Sequence, residues 1–157
     1  MRKIACFTCV LLFGVLTAIS AVAGERWVFI LCQPDSWVNA REKPQKSGDS
    51  IGRLECGQKI LTDGRERNGY LHCIRLSFEI SEGWVSKSYI VSDEPQARNQ
   101  LATVRAGGRV ACRRGVNGSR QGWVRPGAVV KITASSSEWA VTNKGFIRRE
   151  YLDEGDW

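Results

Sequence analysis

The sequence predicts an all-β protein built as two tandem small β-barrels. Three observations carry that prediction: short strand-like segments dominate, no long amphipathic helix is present, and the second half of the chain repeats the first. The 157 residues are 43% hydrophobic and 25% charged, an ordinary globular composition that excludes collagen-like, coiled-coil and disordered classes.

The first 23 residues stand apart. Arg2 and Lys3 precede an apolar run from Ile4 to Ile19, and Ala21-Val22-Ala23 is a small-x-small cleavage pattern. Residues 1–23 are therefore expected to be a secretory signal peptide, placing the chain in the periplasm, at the cell surface or outside the cell. The alternative is an uncleaved anchor over residues 4–23, because an apolar run of about 18 residues approaches a membrane span. Neither Cys6 nor Cys9 follows a leucine-x-small triplet, so lipidation is not expected.

In the remaining chain, strands are expected at Trp27 to Cys32, Ile51 to Leu54, Lys59 to Thr62, Tyr70 to Ile74, Trp84-Val85, Val129 to Thr133 and Trp139 to Thr142. Each is rich in β-branched or aromatic residues and bounded by Gly, Asn, Asp or Ser. Such a series holds about twice the strands that one small barrel needs. An internal repeat explains the excess. Val38-Asn39-Ala40-Arg41 aligns with Val110-Ala111-Cys112-Arg113, the segment Gly52 to Gly57 with Gly122 to Gly127, and Asn68-Gly69-Tyr70 with Ser137-Glu138-Trp139. Gly83 to Ile90 then meets Gly145 to Leu152 without a gap.

These blocks resemble the bacterial SH3 domain, a small β-barrel module of exported bacterial proteins. The first copy shows Asn39-Ala40-Arg41-Glu42-Lys43-Pro44, Ile51-Gly52, Asn68-Gly69-Tyr70 and Gly83-Trp84-Val85 followed by Tyr89. The second is looser: Arg113 and Gly127 are in place, the proline is absent at 116, and the distal part is shorter. The resemblance covers 27–92 and 101–152, with 93–100 as a polar linker and 153–157 as an acidic tail. Gly57 and Gly127 are expected in turns that need a positive φ. Val38, Ala40, Ile51, Leu54, Ile60, Tyr70 and Val85 are the expected interior of the first barrel, and Val110, Cys112, Val124, Val130, Val141 and Ile147 that of the second.

Beyond the first 23 residues there are four cysteines, Cys32, Cys56, Cys73 and Cys112. An even count in an exported chain with small cores suggests two disulfides. Three connectivities are possible: Cys56 and Cys73 flank the turn-rich stretch Asp63 to Gly69, where a hairpin would bring them together and leave Cys32 for Cys112, and small buried free cysteines are the alternative. No metal site is expected, with no C-x-x-C pair and one histidine, and no cofactor motif is present.

The formal charge of +7 is unevenly placed. Residues 24–94 hold ten basic and eleven acidic side chains, whereas residues 95–157 hold eleven and five. Arg109, Arg113, Arg114, Arg120 and Arg125, with Arg148 and Arg149, give the second repeat a cationic face suited to carboxylate or phosphate. Outside the cytosol its partners would be cell-wall or envelope polyanions, and nucleic acid is not expected. A solvated face, partly neutralised by the acidic C-terminal end, is the plainer reading of the same residues.

Catalysis is not expected. Gly48-Asp49-Ser50-Ile51-Gly52 matches the G-x-S-x-G pattern, but that motif needs a strand, a sharp turn and a helix, and a strand follows here. His72 and Cys73 are strand neighbours that point to opposite faces, so they cannot act as base and nucleophile. The resemblance implies a ligand groove edged by aromatics, at Tyr70, Trp84 and Tyr89 in the first copy and Trp139, Phe146 and Tyr151 in the second, with Trp37 and Trp123 nearby. Barrel core is the competing role for Trp84 and Phe146. The reading that follows is an exported, monomeric, non-catalytic binding module for peptidoglycan peptide, glycan or another envelope ligand. An envelope protein–protein adaptor or inhibitor, and a spacer without a ligand, are its alternatives.

Overall fold

A computed structural model describes residues 24–105 and 107–155, and the expected signal segment, including Cys6 and Cys9, lies outside them. The first half forms β1 (Arg26–Ile30), β2 (Trp37–Arg41), β3 (Ser50–Glu55), β4 (Lys59–Arg67), β5 (Tyr70–Arg75), β6 (Gly83–Ser86) and β7 (Ile90–Val91), with a 3-10 turn at Lys87–Tyr89. The second forms β8 (Gln96–Val104), β9 (Val110–Arg113), β10 (Arg120–Val124), β11 (Val129–Ser135), β12 (Trp139–Thr142), β13 (Gly145–Arg148) and β14 (Leu152–Asp153), with a 3-10 turn at Arg149–Tyr151. Among the described residues no helix is long and apolar enough to cross a membrane.

Each half is one antiparallel seven-stranded sheet, in the orders β3-β2-β6-β5-β4-β1-β7 and β10-β9-β13-β12-β11-β8-β14. The two orders are the same topology written twice, and the register agrees as well. Arg41 pairs with Trp84 in the first sheet where Arg113 pairs with Phe146 in the second. Closed barrels were the expectation, and the sheets instead run between two edges. The rim strands are too short to bridge the gap: β7 matches β1 at only two positions, and β14 matches β8 at two.

Alternation decides which side chains enter each core. In β2 the side chains of Val38 and Ala40 are buried while Trp37 is exposed, the period of two that a half-covered strand requires. Asn68 and Gly69 both take positive φ (51° and 78°), which gives the tight β4–β5 hairpin the twist it needs. Gly57 and Gly127 do likewise at φ 84° and 77°, and their N–H groups donate to Ile30 and Val104 at the same distance of 2.7 Å. The expected left-handed turns are thus present in both copies.

Burial forms three clusters rather than two. The first gathers Val38, Ala40, Leu54, Ile60 and Val85, and the second Val110, Cys112, Val124, Val130 and Ile147, as the sequence predicts. Two expectations fail in the first half. Ile51 is 39% exposed, because Arg41 pairs with Ser50 and Ala40 with Gly52, so Ile51 is the extra residue of a β-bulge. Tyr70 is only half-buried. Val141 leaves the second core for the third cluster, in which Leu31 and Val91 of the first repeat meet Val116, Trp139, Val141 and Phe146 of the second.

That third cluster joins the repeats. The β9–β10 loop of the second repeat lies on the 3-10 turn of the first, with the Val116 N–H donating to the Ser88 carbonyl at 2.6 Å. Gly115 allows the approach, since a Cβ there would run into that carbonyl. The stretch 93–100, expected as a linker, is mostly strand: Gln96 to Gln100 pair with β11, and the Asp93 carboxylate accepts from Ser137 N–H (2.6 Å) and Oγ (3.0 Å). At the start of the acidic end, Asp153 lies in β14 and Glu154 on Arg149.

Candidate functional site

Each repeat carries a groove in the same place, between the end of β2 or β9 and the 3-10 turn. The groove of the first repeat is about 440 Å³, edged by Trp37, Arg41, Lys46, Tyr70 and Tyr89, with Arg114 and Ser119 of the second repeat as its far wall. The groove of the second repeat is about 380 Å³ and contains Arg109, Arg113, Trp123, Trp139, Arg148 and Tyr151. Sequence alignment puts Arg41 on Arg113, Tyr70 on Trp139, Ser86 on Arg148 and Tyr89 on Tyr151, so the two sites are copies.

The copies share a skeleton. The Arg41 guanidinium donates to the Gly48 carbonyl at 2.6 Å and Arg113 to the Gly118 carbonyl at 2.9 Å, so each arginine holds the loop that follows its own strand. The Leu31 N–H donates to the Tyr89 carbonyl at 2.8 Å and the Arg105 N–H to the Tyr151 carbonyl at 3.0 Å, which fixes the tyrosine-bearing turns. The two grooves differ in their walls. The first is narrowed by the partner repeat, whereas the second carries three arginines at its rim and leaves Tyr151 38% exposed.

Six aromatics were expected at the grooves, and four are there. Tyr70 and Tyr89 line the first, and Trp139 and Tyr151 the second. Trp139 is a floor, 2% exposed, with the Arg148 guanidinium 5.2 Å from its ring centroid. Trp84 and Phe146 are elsewhere. Trp84 packs edge-on against His72 at 4.8 Å, and Phe146 enters the inter-repeat cluster, where it meets Tyr89 edge-on at 6.3 Å. Each is the second residue of its strand, paired across to Arg41 or Arg113, and neither lines a groove.

The six arginines expected to contact anions divide similarly. Arg113 and Arg148 line the second groove and Arg114 the first. Arg120 stacks on Trp123 at 4.7 Å, and Arg125 is exposed in the β10–β11 turn. Arg149 is already engaged, with Glu154 at 2.6 and 2.9 Å and the Ser136 carbonyl at 3.2 Å. Sequence reasoning missed Arg41 and Lys46 as groove residues. The alignment of Arg41 with Arg113 was the signal that could have found the first, and nothing local marks Lys46.

The cysteines depart from the expected pairing. All four are free thiols; Cys56 lies against Cys32, Cys73 donates to the Leu71 carbonyl, and Cys112 is inside the second core. Hairpin bracketing misled because Cys56 precedes β4 and faces back toward the end of β1. Burial, with the Asp63 charge adding, pushes the Cys73 thiol up to about 12.

His72 is 3% exposed and set between two carboxylates, Asp63 Oδ2 at 2.9 Å from Nδ1 and Glu82 Oε1 at 2.8 Å from Nε2. Burial works to raise the Asp63 carboxyl, but hydrogen bonds from the Arg65 N–H and guanidinium and from His72 outweigh it and hold the group at about 2. Ser50 opens a strand, its hydroxyl donating to Asn39 Oδ1 and the Gly52 carbonyl, both at 3.3 Å.

No family model and no curated protein matches the chain. Several solved structures are similar, among them two from one organism. The structure of NlpC1 from Trichomonas vaginalis is 17% identical, with a TM-score of 0.35 over 85% of this chain and 47% of its own. That of NlpC2 from the same organism is 16% identical, with a TM-score of 0.35 over 85% of this chain and 49% of its own. The chain therefore spans about half the length of either.

Proposed function

We propose that the protein is an exported, non-catalytic binding module that holds carboxylate-bearing cell-wall peptide in two copies of one SH3-like groove. The observation that carries this reading is the second groove, where Arg109, Arg113 and Arg148 line one cavity with the half-exposed Tyr151 over a floor of Trp139. Among the described residues no carboxylate lies within ion-pair distance of Arg109 or Arg113, and Arg148 reaches only Glu150 at 3.9 Å. A planar guanidinium matches a carboxylate in bidentate fashion, and a half-exposed aromatic supplies a rigid flat surface for peptide backbone or sugar. Peptidoglycan stem peptides offer both kinds of group. Two tethered weak sites would then act on one polymer with multiplied affinity.

The test is retention of the full chain on insoluble peptidoglycan, with and without 0.5 M salt, where screening reaches about 4 Å. Retention that weakens in salt and falls in Tyr151→Ala and Arg109→Ala supports the groove. Equal retention by those variants, or none by the wild type, overturns it.

A further inference from the structure

We propose that Cys32 and Cys56 are a built dithiol that closes into a disulfide, stapling the chain after β1 to the β3–β4 turn at the wall of the cleft between the repeats. The inference is independent of the groove reading. The Cys32 N–H donates to Cys56 Sγ at 3.0 Å, and the Cys56 thiol donates to the Cys32 carbonyl at 2.8 Å. The backbones on both sides are pinned to each other, Gly57 N–H to the Ile30 carbonyl at 2.7 Å and Ile30 N–H to the Gln58 carbonyl at 3.0 Å. The backbones that carry the two thiols are therefore already held side by side.

The two thiols are unequal in a useful way. Cys56 is half-exposed and lines a cleft of about 620 Å³ shared by both repeats, whereas Cys32 is 2% exposed behind it. The hydrogen bond from the Cys32 thiol favours the Cys56 thiolate and lowers its pKa, while the same contact raises that of Cys32. One sulfur is thus the accessible nucleophile and the other the resolving thiol.

The oxidant is an organic disulfide, RSSR. The Cys56 thiolate attacks one of its sulfurs and expels RS⁻, leaving a mixed disulfide on Cys56. Loss of the Cys56 charge removes the largest influence raising Cys32 and leaves burial, and the Cys32 thiolate then attacks the Cys56 sulfur and expels the second RS⁻. Both cysteine protons are taken up by the released thiolates, so the balance is two thiols and RSSR giving one cystine and two RSH. The second repeat has no counterpart, since the sequence alignment sets Ala106 and Pro126 against Cys32 and Cys56.

The test uses the full chain, reduced, freed of reductant and incubated with glutathione disulfide, then alkylated after denaturation and mapped by mass spectrometry without reduction. The expected product joins Cys32 to Cys56, with Cys73 and Cys112 alkylated and a raised denaturation midpoint over the reduced chain. In Cys32→Ser, Cys56 should stop at the glutathione adduct; in Cys56→Ser, Cys32 should remain unmodified by glutathione. A link from Cys32 or Cys56 to any other cysteine, a wild-type chain arrested as the Cys56 adduct, or no reaction overturns the proposal.

Discussion

Asp63 shows how one residue sets a pH limit. Its carboxyl is held at about 2, below its unfolded value of 3.8, and its side chain is 22% exposed in a bonded cluster with Arg65 and His72. A carboxylate depressed in the folded state contributes its full stability above the unfolded pKa and loses it as pH falls toward the folded one. Stability on the order of 2 kcal/mol is therefore lost between about pH 4 and pH 2. Asp63→Asn should lower the denaturation midpoint at neutral pH and flatten its dependence in that window. A second contrast at this scale is between neighbours. Arg148 is at the groove, while Arg149 is tied to Glu154. If the groove binds anions, Arg148→Ala should weaken retention on peptidoglycan by about tenfold, the value of one charge-assisted contact of ~1.4 kcal/mol. Arg149→Ala should act on stability and leave the salt-dependent part of binding in place.

At the scale of elements, the β9–β10 loop is the piece whose position matters most. It carries Arg114 to the first groove and Val116 to the third core, and Gly115 lies against Ser88 between them. Gly115→Ala puts a methyl into the backbone of the Lys87–Tyr89 turn, and a small-to-large change in a close contact costs about 1–3 kcal/mol. Thermal denaturation should show that loss, and proteolysis should begin within 114–119. The loop's course was not legible in the sequence, because its docking depends on a residue about thirty positions earlier, Ser88. The strands on either side were legible, since Val110 and Cys112 alternate with Ala111 and Arg113 as an ordinary half-buried strand does.

Across the whole molecule, the shared cluster makes the repeats one cooperative body. Removing a buried phenylalanine ring costs about 3–5 kcal/mol, so Phe146→Ala should split a single unfolding transition into two, read by calorimetry. The two faces that do not meet differ from the two that do. Val141 and Phe146 of the second repeat are equivalent to His72 and Trp84 of the first, where Asp63, Arg65 and Glu82 cap the surface with charge. At the other end, Leu31 and Val91 of the first repeat correspond to Arg105 and Asp153 of the second. Both outer faces are polar versions of an apolar inner joint, which blocks an open head-to-tail chain. Combining His72→Val and Trp84→Phe with Arg105→Leu and Asp153→Val should produce concentration-dependent association in sedimentation, with the parent chain monomeric.

The amino-acid order by itself determined the all-β class, the duplication and most of each core, because strand alternation and turn glycines are local and repeat twice in register. It offered six aromatics as groove candidates, of which Tyr70, Tyr89, Trp139 and Tyr151 line the two cavities. Only the tertiary structure decided that Trp84 packs on His72 and Phe146 in the inter-repeat cluster, that Ile51 is a bulge, that Arg149 is spent on Glu154, and that Cys56 meets Cys32. Each of these depends on partners distant in sequence or on a one-residue shift of register. A shift of one residue in a strand turns a side chain to the opposite face, and no local pattern records it.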